Sequence, residues 1–114
     1  MKKIALLIIL VFVLTFFLFS YERNLGYIYF PSFIQKDTPH NKGMYKVIVK
    51  EEDGNYYFYL YKKGNFVLKE MAVVKPCNKP FKGVRKAILK GKEYFRIQIY
   101  HNNNLIMGYF ELKQ

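Results

Sequence analysis

Apolar and polar residues follow two regimes along the chain. Ile4 to Phe19 carries no charge, and Thr15 is its single polar member. Lys2 and Lys3 precede this run, and Glu22 and Arg23 follow it. It has no polar face, which a helix packed on a globular core would show. At 1.5 Å per residue, a helix from Ile4 to Tyr21 spans roughly 27 Å, just short of a ~30 Å hydrocarbon core. Lys2 and Lys3 can snorkel to cover the deficit, and Tyr21, Tyr27 and Tyr29 suit the opposite interface. The reading is an uncleaved transmembrane signal anchor over residues 1–21. A cleaved signal stays open, although its apolar stretch is usually about 7–15 residues. A cut after Ser20 would also place bulky Leu18 where a small residue is needed. The two lysines outweigh Arg23 slightly, which puts the amino terminus in the cytoplasm and the rest outside the cell membrane.

Residues 22–43 change to aromatics, Pro31, Pro39 and polar side chains, and read as a juxtamembrane linker. Gly26 to Pro31 within it is either a short strand or an interfacial collar. Beyond Gly43 the period becomes two. Tyr45, Val47 and Val49 alternate with Lys46, Ile48 and Lys50, and Asp53-Gly54 supplies a hairpin turn. Further strands are expected at Tyr56–Lys62, Phe66–Lys75, Val84–Leu89, Tyr94–Tyr100 and Leu105–Leu112, separated by Lys63-Gly64-Asn65, a Pro76/Pro80/Gly83 loop, Gly91 and His101–Asn104. A short helix is the alternative at Glu70–Val74 or Val84–Leu89. Residues 44–114 therefore predict an all-β domain: a small antiparallel barrel or curled sheet of about six strands after one amino-terminal transmembrane helix.

Composition narrows the class. Of 114 residues, 22 are Tyr or Phe, which excludes a disordered chain. One cysteine excludes an internal disulfide framework, and two histidines with it leave no ordinary zinc site. The net charge of +11 is concentrated: Lys75, Lys79, Lys82, Arg85, Lys86, Lys90 and Lys92 occur with no acid before Glu93. Such density sets up a positive field that attracts polyanions, whether lipid headgroups, envelope polymers or nucleic acid. A solvated basic face that protects sheet edges from aggregation is the plainer reading.

The order of features resembles the small YxeA-like proteins of Gram-positive bacteria. The residues carrying this are Met44–Ile48, Tyr57–Tyr59, and Leu89–Ile97 leading to Gly108–Leu112. The resemblance implies a lysine-led hydrophobic amino terminus followed by one OB-type β domain. Pro76-Cys77-Asn-Lys-Pro80 departs from that pattern, and the resemblance implies no activity.

Little points to catalysis, cofactors or metals. Glu51, Glu52 and Asp53 lie at an expected hairpin tip, where solvated charge is the ordinary explanation. His40 and His101 fall in a loop and a turn without sequence partners. Cys77 lies near Lys75 and Lys79, which would favour its thiolate, but no second cysteine accompanies it. The sequence predicts a non-enzymatic, membrane-anchored binding module of the bacterial envelope, using the Lys75–Lys92 segment against an anionic partner. The alternative is an immunity, exclusion or accessory protein binding one protein partner through Tyr57, Tyr59 and Tyr61.

Overall fold

The computed structural model describes residues 21–80 and 83–113. Apart from Tyr21, the expected anchor lies outside them. Among the described residues no helix is long and apolar enough to cross a membrane. The described residues form ten strands: β1 Glu22–Phe30, β2 Phe33–Gln35, β3 Thr38–His40, β4 Gly43–Glu52, β5 Asn55–Lys62, β6 Asn65–Met71, β7 Val73–Pro76, β8 Gly83–Leu89, β9 Lys92–His101 and β10 Asn104–Leu112. They make two antiparallel sheets. The first has the order β1-β4-β5-β6, and the second β3-β2-β10-β9-β8, with β7 also on β10.

Period-two alternation builds the core between these sheets. Tyr45, Val47 and Val49 of β4 and Tyr56, Phe58 and Leu60 of β5 point inward, against Ile97 and Ile99 of β9 and Ile106 and Phe110 of β10. Phe30 sits among four rings, with centroids 4.8 Å from Phe95, 5.1 Å from Tyr45, 5.2 Å from Phe110 and 5.5 Å from Phe33. Burying a side chain of this size contributes about 1.5–3 kcal/mol. Asp53-Gly54 joins β4 to β5 with positive φ at both residues, 51° and 81°. That is the type I′ turn whose twist matches paired strands.

The sheets are not equally closed at their two sides. At one side Ala72 carries the chain directly from β6 of the first sheet to β7 of the second, its N–H donating to Tyr56 O at 2.8 Å. Gln35 of β2 adds a clasp, its amide donating to Lys69 O at 3.2 Å and Glu70 Oε2 at 3.0 Å. At the other side β1 and β8 are the terminal strands. An apolar groove of about 180 Å³ opens there, walled by Leu25, Ile28, Val84, Ile97 and Ile99.

Several sequence expectations change. The described residues are all-β, as expected, but form two sheets where one barrel or curled sheet of about six strands was expected. Residues 22–43, read as a linker, hold β1, β2 and β3, and bury Phe30 and Phe33 completely. Their aromatic content supplies core, which is why a segment that looks interfacial joins the fold. Phe66–Lys75 divides at Ala72 because its halves serve different sheets. Glu70–Met71 and Val84–Leu89 are strand, since pairing with β5 and β9 decides what runs this short cannot.

Candidate binding surface

The outward side chains of the first sheet form an aromatic face. With Tyr45, Val47 and Val49 turned inward, Met44, Lys46, Ile48 and Lys50 turn outward on β4. On β5 the same alternation brings out Tyr57, Tyr59 and Tyr61. Register places Lys46 beside Tyr61, Ile48 beside Tyr59 and Lys50 beside Tyr57. From β6, Met71 pairs with Tyr57, Lys69 with Tyr59 and Phe66 with Tyr61. A bulge between Asn24 and Gly26 re-aims β1, so that Tyr27 lies against Lys46 and Tyr29 against Met44. Gly26 adopts φ 79° there, and its N–H donates to Asn24 Oδ1 at 2.8 Å. Six rings therefore share one sheet face: Tyr27, Tyr29, Tyr57, Tyr59, Tyr61 and Phe66. Tyr27 is 67% exposed and Phe66 57%, where core rings of the same domain are sealed.

Lysines hold the rings in place. Lys69 Nζ lies 4.2 Å from the Tyr57 centroid and 5.4 Å from that of Tyr59, and Lys50 Nζ is 4.7 Å from Tyr59. Phe66 packs at 6.1 Å from Tyr59 and 5.9 Å from Tyr61. Glu52 closes the network, accepting from the Tyr59 hydroxyl and pairing with Lys69 Nζ at 2.7 Å. The Lys69 bond, followed by the Tyr59 bond, holds the Glu52 carboxyl below the usual carboxylate range. The same Glu52 bond raises the Lys69 ammonium. Burial, then Glu52, raises the Tyr59 phenol. Glu52 thus works as an ionised strut that fixes a tyrosine. Tilted and edge-on ring contacts, cation–π contact and hydrogen bonding pre-organise this face, which lowers the ordering cost of binding.

The basic segment is dispersed by the same alternation. Arg85 turns to the outer face of the second sheet, opposite Arg96, while Lys86 turns the other way and pairs with Glu93 at 3.0 Å. Lys92 pairs with Glu111 at 3.4 Å. Lys75 lies on β7 in register with Leu105, Lys79 is in the following loop, and Lys90 takes φ 50° at the β8–β9 turn. Lys82 lies outside the described residues. Sequence proximity along a strand therefore becomes separation between faces.

Cys77 is half-buried, and its thiol donates to Lys79 O at 3.3 Å. His101 stacks on Tyr21 with centroids 3.7 Å apart and meets the edge of Tyr56 at 6.3 Å. His40 stacks on Phe33 at 4.9 Å. Burial, then the charge of Lys62, lowers the His40 pKa. Its Nε2 is buried with no hydrogen-bond partner, as suits a neutral ring in an aromatic setting. Both histidines pack as aromatic side chains.

Three residues of the face, Tyr57, Tyr59 and Tyr61, are legible from the sequence. Tyr27 and Tyr29 are not assigned to it, since their segment reads as a linker. Their alternation with Ile28 and Phe30 is the signal that would have placed them. Phe66 was grouped with a strand but with no face. Arg96 carries no sequence signal, because only register sets it beside Arg85. No family model, curated protein or solved structure matches the chain.

Proposed function

We propose that this chain is a non-enzymatic binding module that engages one protein partner through the aromatic face of its first sheet. Residues 1–21 hold it at a bacterial cell membrane, with the β domain outside. The observation carrying this reading is the gathering of Tyr27, Tyr29, Tyr57, Tyr59, Tyr61 and Phe66, flanked by Met44 and Met71, on one exposed face. Tyrosine, phenylalanine and methionine are the residues enriched at interface centres, and rigid tyrosines make energetic anchors. The anchoring part of the reading rests on the uncharged run Ile4–Phe19 behind Lys2 and Lys3.

The test is capture of a stoichiometric partner from envelope membranes by the tagged full chain. Capture is expected to persist in moderate salt, to be lost in Tyr57→Ala/Phe66→Ala, and to survive Lys86→Gln/Lys90→Gln. Capture indifferent to the aromatic pair, or abolished by modest salt, would count against the aromatic face. Protease accessibility of a carboxy-terminal tag on intact cells tests the outward orientation.

A second reading, contact with an anionic partner through the Lys75–Lys92 segment, is favoured by one feature of the second sheet. Arg85 and Arg96 are direct register partners on its outer face. Binding of this kind weakens steeply with salt, since counterion release drives it.

A further inference from the structure

The 22–43 segment, whose composition reads as a spacer, is built into the sandwich, so no spacer separates the domain from the uncharged run Ile4–Phe19. Glu22, the first residue of β1, already pairs with Lys50. Tyr21 stands two residues beyond Phe19, a stretch that reaches at most ~7 Å when fully extended. The headgroup layer on each side of a bilayer is itself roughly 5–7 Å deep. Tyr21 is also fixed to both sheets. Its carbonyl accepts from Glu51 N–H at 2.9 Å, its ring stacks on His101 at 3.7 Å, and it meets Tyr56 edge-on at 6.0 Å. Whatever depth Tyr21 takes, the end of the sandwich around it takes too.

Three connections form that end. They are the β4–β5 turn at Asp53-Gly54, the β9–β10 turn at Asn102-Asn103, and the loop after β7, whose Cys77 N–H donates to Asn103 O at 2.9 Å. Asp53, Asn55, Asn78, Lys79, Asn102 and Asn103 are exposed there. Such side chains suit the polar headgroup layer and not hydrocarbon, where a charge is costly. Lys42, Asn65 and the Lys90-Gly91 turn mark the opposite end, a strand length away. β9 alone has ten residues, which span about 30 Å.

We propose that the end of the sandwich around Tyr21 is a membrane-contact surface lying against the lipid headgroups, with the strands standing away from the bilayer. The contact is polar and peripheral, held by the anchor and not by insertion. The aromatic face of the first sheet then stands upright and opens along the membrane plane, within reach of a partner embedded in the same bilayer. This placement rests on the reading of residues 1–21 as an anchor and adds the surface on which the domain sits.

The experiment reconstitutes the full chain, with Cys77→Ser as the cysteine-free background, in vesicles of phosphatidylcholine and phosphatidylglycerol. Single cysteines are introduced near Tyr21 by Asn55→Cys and Asn78→Cys, and at the opposite end by Lys42→Cys and Asn65→Cys. Two positions at each end keep the comparison readable if one substitution unfolds the domain. Each cysteine carries a fluorophore, and quenching is compared between a nitroxide on the lipid headgroup and one deep in the acyl chain. The headgroup nitroxide is expected to remove most of the fluorescence in Asn55→Cys and Asn78→Cys and little in the other two. The acyl-chain nitroxide is expected to quench none of the four. Equal headgroup quenching at both ends, or none at either end in a chain that floats with the vesicles, would overturn the proposal and leave the anchor in place. Strong acyl-chain quenching near Tyr21 would mean insertion and overturn it as well. A chain that does not float with the vesicles would refute the anchor reading itself, and the proposal with it.

Discussion

At Gly108 of β10 the second sheet packs closely on Phe58 of the first, and Gly108→Ala tests that packing directly. A Cβ there would lie 2.8, 3.0 and 3.1 Å from three ring carbons of Phe58. Ordinary contact is about 3.5–4.0 Å, so the ring or the strand must give by the better part of an ångström. Phe58 has no room to yield, being fully buried and held between Val49 and Glu70 on the neighbouring strands. Overpacking of this kind costs about 1–3 kcal/mol, offset by ~0.4–1 kcal/mol from stiffening the unfolded chain. The expected net loss is about 1–2 kcal/mol, or roughly 4–16 °C in melting temperature for a domain of this size. Urea unfolding of the full chain, followed by far-ultraviolet circular dichroism, measures it through the midpoint at unchanged slope. Phe58→Leu supplies the control. Alone it destabilises by leaving a cavity. Combined with Gly108→Ala it should cost less than the sum of the two, with a coupling of about 0.5 kcal/mol or more. A Gly108→Ala variant within 0.5 kcal/mol of the parent, or strictly additive losses, would refute the claimed close approach.

Phe30→Ala should cost about 3–5 kcal/mol, enough to unfold a marginal domain, and loss of the cooperative thermal transition checks it. That outcome also shows that the 22–43 segment belongs to the fold. Burial, then the charge of Lys62, holds the folded His40 pKa below the ordinary imidazole value of 6.5. Its contribution to stability is therefore present above pH 6.5 and falls as pH drops from there through the folded value. An NMR titration of its ring protons placing the pKa at or above 6.5 would contradict this, and Lys62→Gln should move the pKa upward. Lys63 holds φ 50° in the β5–β6 turn, where asparagine is better suited. Lys63→Asn should stabilise the domain by about 0.5–1 kcal/mol, read from the urea midpoint.

The legible part of the fold was the part written locally. Alternation of Tyr45, Val47 and Val49, and of Phe95, Ile97 and Ile99, gave the strands and their inward faces without any tertiary information. The turn at Asp53-Gly54 was equally plain, because a two-residue turn with positive φ admits few sequences. The boundary at residue 44 failed because Tyr27, Tyr29 and Phe30 have the same composition whether they line a membrane interface or a sheet. Only pairing with β4 distinguishes the two. The basic cluster read as one patch along the chain, yet period two places Arg85 and Lys86 on opposite faces.

By itself, then, the sequence determined the class of domain: all-β, antiparallel and cored with aromatic and branched side chains. It also showed the uncharged run ahead of that domain. These follow from periodicity, turn chemistry and residue type, which act over a few residues. The tertiary structure decided what depends on register between distant strands. It split the β domain into two sheets, which the described chain crosses between β1 and β2, between β3 and β4, and at Ala72, and gathered six rings from β1, β5 and β6 on one face. It also set Arg96 against Arg85. A register shift of one residue would have reversed each face, and hydrophobic burial across all ten strands together selects the pairing.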